Sequence, residues 1–134
     1  MQISLDSGTG HIITAYSSSS IKINDSLLEQ SFLITPTSLH ENWQVKDISS
    51  LSFEDLQSYL LPSVQTFPED SRKDSTIELV LIGHTKVHRF PDYGLIAKLS
   101  ELGIGFEFMD MGAACRTYSI LNSEGRTILA GFIL

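Results

Sequence analysis

Cys115 and Arg116 stand side by side shortly after Asp110, and a Gly83-His84-Thr85 run lies upstream of them. A thiol near a helix start and beside a guanidinium has the makings of an activated nucleophile. His84 is the general base that a neighbouring loop would supply. If Asp110 opens a helix, the free N–H groups and the dipole of that helix favour an anion, to which Arg116 adds a charge-assisted contact. Gly83, His84, Thr85, Met109, Asp110, Gly112, Cys115 and Arg116 are therefore the candidate walls of a ligand crevice at the carboxyl ends of two strands, where open α/β sheets bind ligands.

Each of these residues also has a structural reading. Asp110 can satisfy the first-turn N–H groups itself as a cap, leaving Arg116 to pair with Glu107 or Glu124. Cys115 falls at about the fifth helical position, beyond the reach of the dipole, and free cysteine commonly packs as a small apolar side chain. No second cysteine exists to resolve an oxidised form. His84 and His88 have metal-ligand spacing for a helix, but Val87 and Pro91 do not favour one. Zinc also needs a third protein ligand, so no metal is assigned. Ser7-Gly8-Thr9-Gly10 resembles a phosphate loop but lacks the Gly-Lys-Ser/Thr ending, and reads as a β-turn. Glu124-Gly125-Arg126 reads as a structural turn with a weak ion pair across it. No complete catalytic constellation emerges, and neither a catalytic residue nor a cofactor is assigned.

The elements that must position these residues follow two patterns. Residues 2–45 alternate in strand fashion. Ile3 and Leu5 precede a glycine turn, and His11 to Tyr16 and Ile21 to Ile23 flank the Ser17–Ser20 run as a hairpin would. Gln30 to Thr35 forms another strand stopped by Pro36, and Trp43 and Val45 start a further short one. In the connector, Ser52 and Asp55 form a capping box for a helix with Phe53, Leu56, Tyr59 and Leu60 on one face, limited by Pro62. Glu69 to Ser75 reads as an exposed loop.

Residues 76–133 read as a βαβαβ unit. Ile77 to Ile82 is an apolar run suited to a buried strand. Asp92 caps a helix striped by Leu95, Ile96, Leu99 and Leu102, which ends at Gly103. Ile104 to Met109 is the next strand. Asp110 caps a second helix, with Ala114, Thr117, Tyr118 and Leu121 on one face, and Gly125 breaks it. Thr127 to Ile133 is the closing strand. The class is α/β: a three-layer arrangement with a mixed central sheet, this C-terminal unit and an additional N-terminal β layer.

The 134 residues fit one domain with a sizeable core, and 42% hydrophobic and 19% charged residues describe a globular chain. The net charge of −7 repels nucleic acid and anionic membrane surfaces. The charge is uneven: residues 1–75 carry 10 acidic and 4 basic groups, whereas residues 76–134 carry 6 and 5. The second part can thus host a neutral or positive pocket. One cysteine permits no internal disulfide. The N-terminus has neither the basic start nor the apolar run of a signal peptide, and no stretch approaches the ~20 apolar residues of a membrane span. A cytoplasmic location is expected.

The segment Met109 to Leu134, with Met109-Asp110, Gly112-Ala113-Ala114-Cys115-Arg116-Thr117-Tyr118, Ile120-Leu121 and Ser123-Glu124-Gly125-Arg126 before an apolar strand, resembles the signature of a small family. That family includes mitochondrial complex I assembly factor three, the adipogenesis-associated domain protein and many uncharacterised microbial proteins. Tyr16, Ile21 to Asn24, Ser31 to Pro36, Trp43, Leu79 to Gly83 and Phe90-Pro91 extend the resemblance nearly end to end. Many relatives read Gly-Thr-Gly where this chain has Gly83-His84-Thr85. The resemblance implies a three-layer α/β domain with no known catalytic activity. It also implies a binding or assembly module whose partner is another protein or a second copy, contacted through apolar side chains near Tyr16, Phe32 or Trp43. The alternative is a protein that takes a small anionic ligand, or an enzyme, using the His84–Arg116 crevice.

Overall fold

The computed structural model describes residues 10–60, 77–85 and 90–134. The strand at Ile3 and Leu5, the helix limit at Pro62, the loop from Glu69 to Ser75, most of the Ser7–Gly10 turn and His88 lie outside the described residues.

Strands β1 (Ile13–Tyr16), β2 (Ile21–Ile23) and β3 (Ser26–Leu28) form an antiparallel sheet in that order. The serine run closes the first hairpin, with the Ser17 N–H donating to the Ser20 carbonyl at 2.8 Å. The second hairpin turns on Asn24-Asp25, and Asn24 adopts φ 54°, a left-handed conformation that asparagine tolerates in two-residue turns. The Asn24 side chain also accepts from the Ile12 N–H at 3.1 Å, tying down the entry to β1.

A five-stranded sheet is built from β4 (Phe32–Ile34), β5 (Leu39–His40), β6 (Leu79–His84), β7 (Gly105–Asp110) and β8 (Ile128–Ile133), in the order β5-β4-β8-β6-β7. β6 runs parallel to both β7 and β8, while β4 is antiparallel to β8 and to β5, so the sheet is mixed. β8 is central and buried at every position, which suits its unbroken apolar run.

Ahead of helix α1 (Glu54–Leu60) half of the expected capping box forms: the Asp55 carboxylate accepts from the Ser52 N–H at 2.9 Å and from its hydroxyl at 3.1 Å, while the Asp55 N–H donates to the Ser52 carbonyl rather than to its side chain. Helices α2 (Tyr93–Glu101) and α3 (Met111–Ser123) connect β6 to β7 and β7 to β8. These two crossovers run in opposite directions along the sheet, so one handedness puts their helices on opposite faces. Leu56, Leu60, Leu95 and Leu99 pack with Val80 and Ile82 on one face. Met111, Ala114, Cys115 and Tyr118 pack with Leu81, Phe132, Ile21 and Ile23 on the other, so the small sheet shares the α3 layer. Asp92 and Asp110 cap α2 and α3, and Gly103 and Gly125 end them at φ 76° and 77°.

Several details depart from the sequence reading. Trp43 and Val45 form no strand, yet both are buried against Leu33. Leu102 is exposed at the end of α2. β6 starts later than Ile77 and continues through Gly83 and His84, both paired with β7 and β8. A strand with partners on both sides persists as long as they do.

Arg126 reaches Glu78 rather than Glu124: its Nε donates to Oε1 at 2.7 Å. The other Glu78 oxygen accepts from the Thr127 N–H at 3.2 Å and its hydroxyl at 2.9 Å. The Arg126 hydrogen bond, and then the Thr127 N–H, hold the Glu78 carboxyl below its ordinary value of 4.5. A carboxyl lowered by folding stabilises the fold above its unfolded pKa and loses that effect as pH falls through the lower folded value. Glu78→Gln should therefore melt below the wild type at neutral pH, with the two melting temperatures converging in acid. A gap that stays constant with pH would contradict this origin.

Candidate functional site

The two corners singled out by the sequence are adjacent. His84 and Asp110 are register partners at the carboxyl ends of β6 and β7. Their surroundings differ, because successive strand residues face opposite sides of a sheet. Gly83 faces α3, where an added Cβ would lie 2.6 Å from that of Ala114. His84 faces the other side, and its ring stacks on Phe108 at 5.9 Å. Of the eight candidate residues, Cys115 and Arg116 line one cavity and His84 and Thr85 another, while Gly83, Met109, Asp110 and Gly112 line neither.

The larger is an open groove of about 510 Å³ between β1 and α3, lined by Ile13, Thr14, Ala15, Tyr16, Cys115, Arg116, Ser119 and Ile120. Arg116 is exposed, and its Nη1 donates to the Tyr16 hydroxyl at 2.9 Å. Among the described residues neither Glu107, Glu124 nor any other carboxylate pairs with it, whereas Arg126 has Glu78. Gly112 makes room for the Arg116–Tyr16 contact: a Cβ there would sit 3.2 Å from the Tyr16 ring and 3.3 Å from the guanidinium.

The remaining candidates on this side serve α3 itself. Asp110 accepts from the Ala113 N–H at 2.9 Å, which is the capping role. Met109 packs beneath the helix, with its sulfur 3.4 Å from the Thr117 hydroxyl. Cys115 is only 2% exposed, and burial pushes its thiol up to about 12 against the weaker opposing effect of Arg116. At neutral pH the sulfur is a protonated, packed group.

The smaller cavity, about 100 Å³, lies on the His84 side. It is lined by Lys46, Asp47, Ile48, His84, Thr85, Ile133 and Leu134. His84 is 2% exposed, while Thr85 is exposed at its mouth. Among the described residues no three His, Cys, Asp or Glu side chains gather as a metal site would require.

The sequence pointed to one wall of each cavity and missed the other. Tyr16 and Arg116 are 100 residues apart, and no local pattern links them. Lys46 and Asp47 line the same cavity as His84, and no local pattern links them either. Of the aromatic residues expected on a contact surface, Phe32 is fully buried on Phe132 and Trp43 is 8% exposed, while Tyr16 remains 45% exposed. No helix among the described residues is long and apolar enough to cross a membrane.

The same architecture occurs in solved structures. A Xanthomonas campestris protein is 27% identical with a TM-score of 0.74, covering 97% of this chain and 89% of that one. A Bordetella parapertussis protein is 24% identical with a TM-score of 0.73, covering 92% and 95%. A Bordetella pertussis protein described as a Mth938-like domain is 24% identical with a TM-score of 0.70, covering 98% and 91%. No curated protein matches. The model of a family described as proteins of unknown function (DUF498/DUF598) matches residues 13–133. With that match running from β1 to the end of β8, this chain belongs to the DUF498/DUF598 family.

Proposed function

We propose that this chain is a non-enzymatic binding module, and that the groove between β1 and α3 receives an extended acidic segment of a partner protein. The observation that carries this reading is Arg116. In a chain of net charge −7, its guanidinium is exposed in a groove whose lining holds no acidic residue, with a neutral tyrosine hydroxyl as its contact. Among the described residues β1 is one of the two edge strands of its sheet, and edge strands accept extended peptides through main-chain hydrogen bonds. Ile13, Ala15 and the exposed Ile120 offer apolar contacts beside the charge.

Two further points support a binding role. The Cys115 thiol is held protonated, and His84 lies on the opposite face of the sheet, so neither can assist the other in nucleophilic chemistry. The resemblance to the family that includes mitochondrial complex I assembly factor three adds a precedent, since its members are understood as assembly factors or have no assigned function. A role in assembling a multi-subunit complex is the specific form of this proposal.

The test is selection of peptides from a random display library on the full chain, followed by affinity measurement. Selected peptides should alternate apolar residues with Asp or Glu and shift amide resonances along β1 and α3. Arg116→Ala should weaken them by about tenfold, the loss expected for a charge-assisted hydrogen bond. Peptides that bind Arg116→Ala as well as the wild type, or that map elsewhere, would overturn the reading. Concentration-dependent dimerisation abolished by Arg116→Glu would instead make a second copy the occupant.

A further inference from the structure

We infer that Ser38 is a covalent acceptor site: its hydroxyl, deprotonated by His40, takes an acyl group from a thioester or another activated ester. Ser38 and His40 belong to the β4–β5 hairpin, and neither lines the β1–α3 groove. The site therefore stands or falls separately from the proposed docking of a partner segment.

A chain of side-chain hydrogen bonds carries this reading. The Ser38 Oγ lies 2.9 Å from the Thr35 Oγ1 and 2.8 Å from the His40 Nε2. Thr35 is 8% exposed, and its hydroxyl accepts from the Thr37 N–H at 3.2 Å and the Ser38 N–H at 2.9 Å. Two accepted bonds fill the lone pairs of a hydroxyl, so Thr35 must donate its own proton. The Ser38 carbonyl stands at 3.3 Å, and the Ser38 Oγ is the nearer acceptor. Ser38 in turn directs its proton to Nε2, which leaves the proton of the neutral His40 ring on Nδ1. A hydroxyl donating to the unprotonated nitrogen of an imidazole is the pairing of a nucleophile with its general base. Tyr59 of α1 braces the His40 ring edge-on, with centroids 4.9 Å apart at 62°.

With a thioester donor, the Ser38 Oγ attacks the carbonyl carbon as its proton passes to the His40 Nε2. The bond from that carbon to sulfur breaks, the leaving thiolate takes the proton from His40, and Ser38 keeps the acyl group as an oxygen ester. Ser38 and His40 are both half-buried, so a donor in solution reaches them. The Thr37 and Ser38 N–H groups already point at the Thr35 hydroxyl. Neither is free to act as the oxyanion donor by which hydrolases speed both acylation and deacylation. The acyl group therefore stays on Ser38 instead of turning over. This makes Ser38 a modification site and keeps the chain non-enzymatic.

The experiment incubates the full chain with p-nitrophenyl acetate near neutral pH and locates acetyl groups by fragmentation mass spectrometry. The aryl ester stands in for the thioester, with p-nitrophenolate as the leaving group. Acetyl is expected on Ser38 ahead of the exposed Ser18 and Thr37, hydroxyls without an imidazole partner among the described residues. His40→Phe keeps an aromatic ring beside Tyr59 but removes the base. It should slow acetylation of Ser38 by about a hundredfold, the low end for general-base assistance. If His40→Phe fails to fold, the comparison of Ser38 with Ser18 in the wild type decides alone. No acetyl on Ser38, a rate at Ser38 equal to that at Ser18, or an unchanged rate in folded His40→Phe would overturn the inference.

Discussion

Gly83→Ala is expected to lower the free energy of unfolding by about 2–3 kcal/mol, at the upper end of what a single added methyl costs in a packed core. The new Cβ would lie 2.6 Å from the Cβ of Ala114 and 3.0 Å from the Phe132 ring. A Cβ has no rotamer by which to escape, so α3 itself must lift off β6. Because α3 also carries Cys115 and Arg116, the same change should disturb the groove. Ala114→Gly removes the opposing methyl and should recover part of the loss, although glycine inside a helix costs ~1 kcal/mol. Urea unfolding followed through Trp43, the single tryptophan, gives the double-mutant cycle. Full wild-type stability in Gly83→Ala, or strict additivity of the two changes, would mean that this helix–strand contact is not tight.

Trp43→Ala should cost about 3–5 kcal/mol, the range for removing a large aromatic side chain from a core. Trp43 belongs to a connection without strand pairing, yet its ring lies over Gly131 of the central strand β8. A Cβ on Gly131 would approach the ring to 2.7 Å. Main-chain support is slight, with the Trp43 N–H donating to the Ser31 carbonyl at 3.2 Å. The indole is thus one anchor of the chain between β5 and α1, beside the buried Val45, Ile48 and Leu51.

The Trp43 indole N–H is buried without a hydrogen-bond partner among the described residues. Trp43→Phe, which removes that unmet donor, should therefore cost less than the lost ring area implies. Circular dichroism in urea measures both variants. A Trp43→Ala loss below about 1 kcal/mol would show that the loop holds its place by other means.

These two contacts show where sequence reading stopped. Gly83 carries a strand signal but no sign that a helix crosses it. Trp43 reads equally well as an exposed aromatic on a β layer or as a core residue, since hydrophobicity alone does not say which face a loop side chain finds. β3 is not legible in the sequence because Ser26–Leu28 is too short for alternation to register.

What the amino-acid sequence determined by itself was the α/β class, the C-terminal βαβαβ order, the capping roles of Ser52 with Asp55, Asp92 and Asp110, and the helix stops at Gly103 and Gly125. These features depend on periodicity and on hydrogen bonds between residues three or four apart, so they are written locally. Only the tertiary structure decided that His84 turns away from Cys115 and Arg116, that Arg116 meets Tyr16, and that Arg126 meets Glu78. Those outcomes depend on strand register and on which face each crossover helix covers. A shift of one residue in register reverses the facing of every side chain on a strand, and partners 48 or 100 residues apart leave no mark on the sequence between them.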